Sequence, residues 1–403
     1  MSDLSERYRL LTSLPAPDLW PDIERRTPGP ARGRPPRRLL TAAVALAVAA
    51  AAIGFAIRSF GLQHETPSPG STPSPTPSEL TARVTAAIPI GPRGQVPSVA
   101  YGAGSVWVAY FDTSPDQHGH LVRVDPQTNQ VVDDIVVDTF PSWEVGGGGL
   151  TVSDGSVWIT GSIESTRCPD PGLFQAGRFQ AALVRVDAAT DTPGQTICLG
   201  GHFGADVAVD DAGVWVLVFG DHDRMLSVVH VDPSTGDVLG RTELQQHYGH
   251  WLFAVGGSIV AGVNEVSGAD VGNSVLAVID PATGVLRDTI PLHSSAWLAS
   301  DGEQLWAATG DGLERLDPVT GAVTAGPYAV ANTGDALAVG PEYVSFLAPE
   351  GRQLLLLRLN PATGQTTPIE VQGGFEWNAL AQAPGTLWGL GFDGTLYRVD
   401  LPP

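Results

Sequence analysis

The chain has 403 residues, 43% of them hydrophobic, with 22 basic residues against 43 acidic ones and a formal net charge of −21. That length suits two average domains or one large repeat domain, and that apolar content is enough for a sizeable core. The charge is unevenly spread: residues 1–58 carry nine Arg and five acids, the remainder 13 Arg and 38 acids. A body that acidic repels phosphate backbones, which excludes nucleic acid as its partner.

The first segment, 1–38, reads as a cytoplasmic tail. Leu4, Tyr8 and Leu11 share one helical face, and Asp18 is placed to cap a short helix carrying Leu19 and Ile23. A peptide that binds a cytoplasmic protein is one reading of this tail; a segment lying free or on the membrane surface is the other.

Residues 39–57 (LLTAAVALAVAAAAIGFAI) contain no charge. At about 1.5 Å per residue they span about 28 Å, close to the hydrocarbon thickness of a bilayer. The run is long for a signal-peptide core, and the tail before it is long for a signal n-region, so an uncleaved transmembrane helix is expected. Arg32, Arg34, Arg37 and Arg38 crowd its N-terminal side, with Arg58 alone directly after it. The positive side stays inside, so the N-terminus is expected in the cytoplasm and the body outside it.

Residues 58–81 follow as a Pro/Ser/Thr-rich stalk. Such a composition cannot build a core and favours extended polyproline II, about 3.1 Å per residue.

From residue 82 to 403 the sequence is periodic. One column reads Trp107, Trp158, Trp215, Val260, Trp306, Ser345 and Trp388, each preceded by an aliphatic residue. Eight positions upstream a second aliphatic recurs: Val99, Leu150, Val207, Leu252, Leu298, Leu337 and Leu380. Turn residues lie between, so each unit contains strand, tight turn, strand. A further motif follows each pair: RVDPQTN, RVDAATD, HVDPSTG, VIDPATG, RLDPVTG, RLNPATG and a truncated RVDLPP. This is hairpin-turn chemistry, with Asp or Asn accepting local N–H bonds, Pro presetting φ and Gly or Asn accepting positive φ. The recurring carboxylates therefore belong to the fold and make no catalytic ring.

Four short strands in about 46 residues make a propeller blade. The expected fold is all-β, a seven-bladed β-propeller preceded by one transmembrane α-helix. The seventh unit stops before its outer strand, and residues 82–90 are available to supply it and close the ring. The SVWV strand followed by RVDPxTG resembles the bacterial propellers of the YVTN and virginiamycin B lyase-like group over about 80% of the chain. That group includes binding and scaffold proteins as well as lyases. The resemblance implies that the ligand face carries the loops leading into each innermost strand and those between the second and third strands.

Those leading loops are rich in aromatics and His: Trp143 and Glu144; His202 and Phe203; His247, Tyr248, His250 and Trp251; His293 and Trp297; Phe375, Glu376 and Trp377. Aromatic faces with a few polar groups suit a small molecule, a carbohydrate or a protein ligand; the competing reading is that the bulk plugs the channel. Directly before the innermost aliphatic the blades carry Ser98, Gly149, Asp206, Trp251, Trp297, Ala336 and Ala379. Two neighbouring Trp break a run of small or short residues, and a ligand-stacking wall is expected there, with His250 and His293 as hydrogen-bond partners. The lyase-like resemblance offers an enzymatic alternative, with a metal and a general-base His, but its active-site motif has no residue-by-residue match here. The residues do not identify a cofactor or a metal. Cys168 and Cys198, the two cysteines of the chain, are expected to form a disulfide within the second unit of an exported domain.

Overall fold

The structure, a computed structural model, describes residues 80–91, 98–111, 118–139, 149–168, 179–220, 225–245, 247–267, 270–292, 296–329, 336–340, 343–350, 353–371, 377–391 and 393–401. All fall in one unit, Pro75–Pro403. No helix among the described residues is long and apolar enough to cross a membrane. The tail 1–38, the apolar run 39–57 and the stalk up to residue 79 lie outside the described residues.

A first strand, β1 (Leu80–Pro89), precedes seven blades. Blade 1 is β2 (Ser98–Gly102), β3 (Ser105–Phe111), β4 (Gly119–Asp125) and β5 (Gln130–Val137). Blade 2 is β6 (Leu150–Ser153), β7 (Ser156–Glu164) and β8 (Phe179–Asp187), with an outer strand split into β9 (Thr192–Pro193) and β10 (Ile197–Cys198). Blade 3 is β11 (Phe203–Asp210), β12 (Gly213–Phe219), β13 (Met225–Val231) and β14 (Val238–Gln245). Blade 4 is β15 (His247–Val255), β16 (Ser258–Ser267), β17 (Asp270–Ile279) and β18 (Leu286–Pro291). Blade 5 is β19 (Trp297–Ser300), β20 (Leu305–Thr309), β21 (Gly312–Leu316) and β22 (Val323–Tyr328). Blade 6 is β23 (Leu337–Val339), β24 (Val344–Glu350), β25 (Gln353–Asn360) and β26 (Gln365–Val371). Blade 7 is β27 (Trp377–Ala383), β28 (Thr386–Gly391) and β29 (Thr395–Asp400).

The ring closes as the truncated last unit requires. β1 pairs antiparallel with β29, from Arg83 opposite Asp400 to Pro89 opposite Thr395, and so becomes the outer strand of blade 7. Its first residues also pair in parallel with blade 6, Leu80 opposite Ile369 and Ala82 opposite Val371. One strand thereby joins two blades into an eight-stranded sheet, a pairing the repeat alone does not announce. The closure gives blade 7 its outer strand and covers the outer edge of blade 6, while blades 1–5 each keep one short outer strand at the rim.

The recurring column lies on the second strand of every blade and is wholly buried, from Trp107, Trp215, Trp306 and Trp388 at 0% exposure to Trp158 at 2%. Its cross-strand neighbour is the first residue of the RVD motif: Trp107 faces Arg123, Trp158 faces Arg185, Trp215 faces His230 and Trp388 faces Arg398. The guanidinium carbons lie 5.5, 5.6 and 5.8 Å from the rings of Trp107, Trp158 and Trp388, and His230 stacks on Trp215 at 3.8 Å. In blade 4 the column holds Val260, and its neighbour is Val278. In blade 6 the column holds Ser345 and its neighbour is Arg358, whose guanidinium lies 3.9 Å from the Tyr343 ring instead.

Side chains of the third and fourth strands bind one blade to the turn of the next. Arg123 reaches the Asp191 carboxylate at 3.0 Å, Arg185 donates to the Pro233 carbonyl at 3.1 Å and Tyr328 to the Pro361 carbonyl at 3.2 Å. Arg398 donates to the Pro126 carbonyl and to Asn129 of blade 1, across the closure of the ring. The turn carboxylates are occupied as the motif predicts. Asp125, Asp187, Asp232, Asp280 and Asp317 accept N–H bonds from residues two or three positions on, as does Asn360. Backbone donors lead the lowering of the Asp125, Asp187 and Asp317 pKa values, the Ser234 hydroxyl that of Asp232 and Arg287 that of Asp280.

Cys168 and Cys198 are disulfide-bonded. The bridge ties the loop after β7 to the outer edge of blade 2 and packs on Ile163 and Ala182.

Candidate functional site

The residues before the innermost aliphatic sit at one level of the ring. Each lies opposite the second-strand residue two positions beyond the buried column: Ser98 opposite Ala109, Asp206 opposite Leu217, Trp251 opposite Gly262, Trp297 opposite Ala308 and Ala379 opposite Leu390. Gly149 and Ala336 hold the same place through backbone bonds with Thr160 and Leu347. The ring therefore has one arc of four small residues, in blades 6, 7, 1 and 2, and one arc of three larger ones, Asp206, Trp251 and Trp297, in blades 3, 4 and 5.

Three of these ladders are irregular just before the ring position. The β11–β12 ladder shifts register between Gly204 and Asp206, the β15–β16 ladder between Gly249 and Trp251, and the β27–β28 ladder between Trp377 and Ala379. Each bulge places its extra residue immediately before the ring position, a device that re-aims the side chain that follows. Across from Trp251, Gly262 leaves room for the indole: a Cβ there would stand 2.4 Å from Leu298 Cδ1 and 3.3 Å from Trp251 Cε3.

Trp251 and Trp297 touch edge to face, with ring centroids 5.2 Å apart and planes at 73°. Trp251 is half-buried against the core shared by blades 4 and 5, which includes Leu276, Ala296 and Leu298. Trp297 is 39% exposed, unlike the fully buried indoles of the second strands. An indole that forms no part of a closed core and is braced by a second indole presents a rigid stacking surface.

By size Asp206 belongs with the short residues of this ring, and its partners set it apart. Its carboxylate accepts the Val207 N–H on Oδ1 at 2.9 Å and the Leu252 N–H on Oδ2 at 2.8 Å, so it spans blades 3 and 4 beside the backbone of Trp251. Desolvation pushes its pKa up to about 7 against the pull of those two N–H groups. No charged side chain contributes to that shift. Gly149 of blade 2 makes room for it, since a Cβ there would stand 2.6 Å from Asp206 Oδ1. The available signal was positional: an acid in a column otherwise filled by small residues and Trp.

The remaining candidates divide as follows. Phe203 is buried and stacked on Phe219 at 4.5 Å, within the core of blades 3 and 4. The His202 ring is half-buried and edge-on to Phe203 at 5.6 Å, and the His202 backbone N–H donates to the Phe219 carbonyl. His247, Tyr248 and His250 lie on β15, and Trp377 begins β27; the description there is of backbone alone. Trp143, Glu144, His293, Phe375 and Glu376 lie outside the described residues. Among the described residues no group of three His, Cys, Asp or Glu side chains is placed to hold a metal ion.

No family model and no curated protein matches the chain. Solved structures do. The β-propeller domain of Myceliophteria thermophila Cps50 (Swd1) superposes with a TM-score of 0.57 at 13% identity, over 80% of this chain and 100% of that one. A chain of the Mitotic Checkpoint Complex gives 0.58 at 12% identity, over 85% and 98%. The Neurospora crassa Pan2 WD40 domain gives 0.55 at 11% identity, over 77% and 90%. The fold is that of a seven-bladed β-propeller. At such identities the likeness speaks to the fold alone, and function has to be argued from the ring.

Proposed function

We propose that this chain is a membrane-anchored interaction module, a propeller held outside the cytoplasm that binds a ligand at the ring of innermost-strand residues. The observation that carries the reading is the contact between Trp251 and Trp297, of which Trp297 is 39% exposed. A ring needing filler alone would have spread its bulk; here two indoles and a carboxyl occupy three neighbouring blades and small residues occupy the other four. The uncharged run 39–57, with Arg crowded on its N-terminal side, supports the anchor and its direction. The resemblance of SVWV and RVDPxTG to the YVTN and virginiamycin B lyase-like group points toward an exported bacterial binding protein.

Two experiments test it. External protease on intact cells should release the propeller by cutting within 58–81 while a tag at Met1 stays protected; a digested N-terminal tag reverses the orientation. A ligand screen on the full chain should return hits that Trp297→Ala weakens and that a variant on the small-residue arc, Ala379→Ser, does not. Hits indifferent to Trp297→Ala place the site elsewhere.

A further inference from the structure

We infer that the ligand held by the Asp206–Trp251–Trp297 arc is an organic cation, an alkylated ammonium whose charge is met by the Asp206 carboxylate and whose alkyl groups lie on the indoles. This rests on the reading of the ring as a binding site and adds the chemical class. Three observations carry it.

The first is adjacency. Asp206, Trp251 and Trp297 occupy equivalent ring positions in consecutive blades, and Asp206 accepts the N–H of Leu252, the residue after Trp251. The second is charge. Asp206 is seated against Gly149 and held by two backbone N–H groups, with no charged side chain contributing to its acidity. Asp206 is half-buried; drawing a carboxyl partly out of water without a counter-ion is costly, and a cationic ligand supplies that counter-ion. Residues 59–403 carry 38 acids and 13 Arg, a balance that raises the local concentration of cations. The third is the poverty of other polar groups at this level. Of the seven positions, Gly149, Ala336 and Ala379 offer no polar side chain and Ser98 offers one hydroxyl. A sugar needs many partners for its hydroxyls. An alkylated ammonium needs one anion and aromatic faces, to which it is drawn by the ring quadrupole.

The test uses choline and its uncharged isostere 3,3-dimethylbutan-1-ol, titrated calorimetrically into the full-length chain in a non-ionic polyoxyethylene detergent. Choline should bind at least tenfold more tightly than the isostere. Asp206→Asn should abolish that preference while leaving the isostere's affinity in place; the ratio within one variant is insensitive to partial loss of folded protein. Trp297→Ala should weaken both. Equal affinity for choline and the isostere, or an unchanged ratio in Asp206→Asn, overturns the cation assignment. If methyl glucoside binds in a Trp297-dependent way and choline does not, the ring remains the site and the ligand class is wrong. If no probe binds, this inference falls.

Discussion

Two sets of tryptophans stand two residues apart in register and do opposite things. On the second strands, Trp107, Trp158, Trp215, Trp306 and Trp388 repeat around the ring, are buried to within 2% of full burial, and in four of the five blades carry an Arg or His over the indole face. On the innermost strands, Trp251 and Trp297 occur in two neighbouring blades, touch each other, and leave Trp297 39% exposed. Repetition marks what the fold needs. Departure from it, two adjoining indoles confined to one arc and given room by Gly262, marks what a ligand would use.

The comparison can be broken first at its repeated side. Trp107→Ala should cost about 3–5 kcal/mol, the range for emptying a buried aromatic site, read as a fall in the denaturant midpoint. A loss below about 1 kcal/mol would mean that the second-strand column is not the core.

Replacing Cys168 and Cys198 together by Ser should cost about 3–4 kcal/mol, because the bond restrains a 30-residue separation in the unfolded chain. An unchanged midpoint would remove the bridge from the account of blade 2. Arg398→Ala should cost about 1–2 kcal/mol, since it removes the bonds to Pro126 and Asn129 that cross the ring closure and uncovers Trp388. Hydrogen exchange should rise along β1 and β29 before it rises in blades 3 and 4; uniform exchange would deny the closure any special role.

Asp206 sharpens the comparison by pH. Its folded pKa of about 7 lies above the ordinary 3.8, so between those values the native state holds a proton that the unfolded state has lost. Stability contributed by this group therefore falls as pH rises across that window, by at most about 1.4 kcal/mol per pH unit, and levels off above it. The turn aspartates act in the other direction and at lower pH: their lowered pKa values stabilise the fold above the usual carboxylate range, and that contribution is lost as pH falls below it. Subtracting the pH profile of Asp206→Asn from that of the parent should isolate the descending slope between about pH 4 and 7. Parallel profiles would mean that Asp206 is solvated.

Much of this architecture was legible in the residues because the repeat is a packing rule. An aliphatic, an indole two strands deep and an Asp-Pro turn each recur where backbone geometry demands them. Ring closure by residues 82–90 was legible because the last unit lacks a strand. The Arg of RVD was not read as the cover of the Trp, since cross-strand register becomes visible only when strands are paired. Nor was the parallel contact of Leu80–Ala82 with blade 6, which depends on how neighbouring blades meet. At the candidate site, composition along the chain picked out Trp251 and Trp297 but also Phe203, an aromatic in the same class of loop that pairs and stacks with Phe219 in the core. Asp206 escaped because its significance lies in seven-fold alignment and desolvation, neither of which a single residue displays.

The most direct test of the account is the unfolding free energy of Trp297→Ala measured beside that of Trp107→Ala. An indole kept for a ligand should cost less than about 1 kcal/mol to remove, as exposed side chains outside a core do, while the second-strand indole costs several. If Trp297→Ala loses as much as Trp107→Ala, the aromatic arc is core packing and the ring is not the binding site.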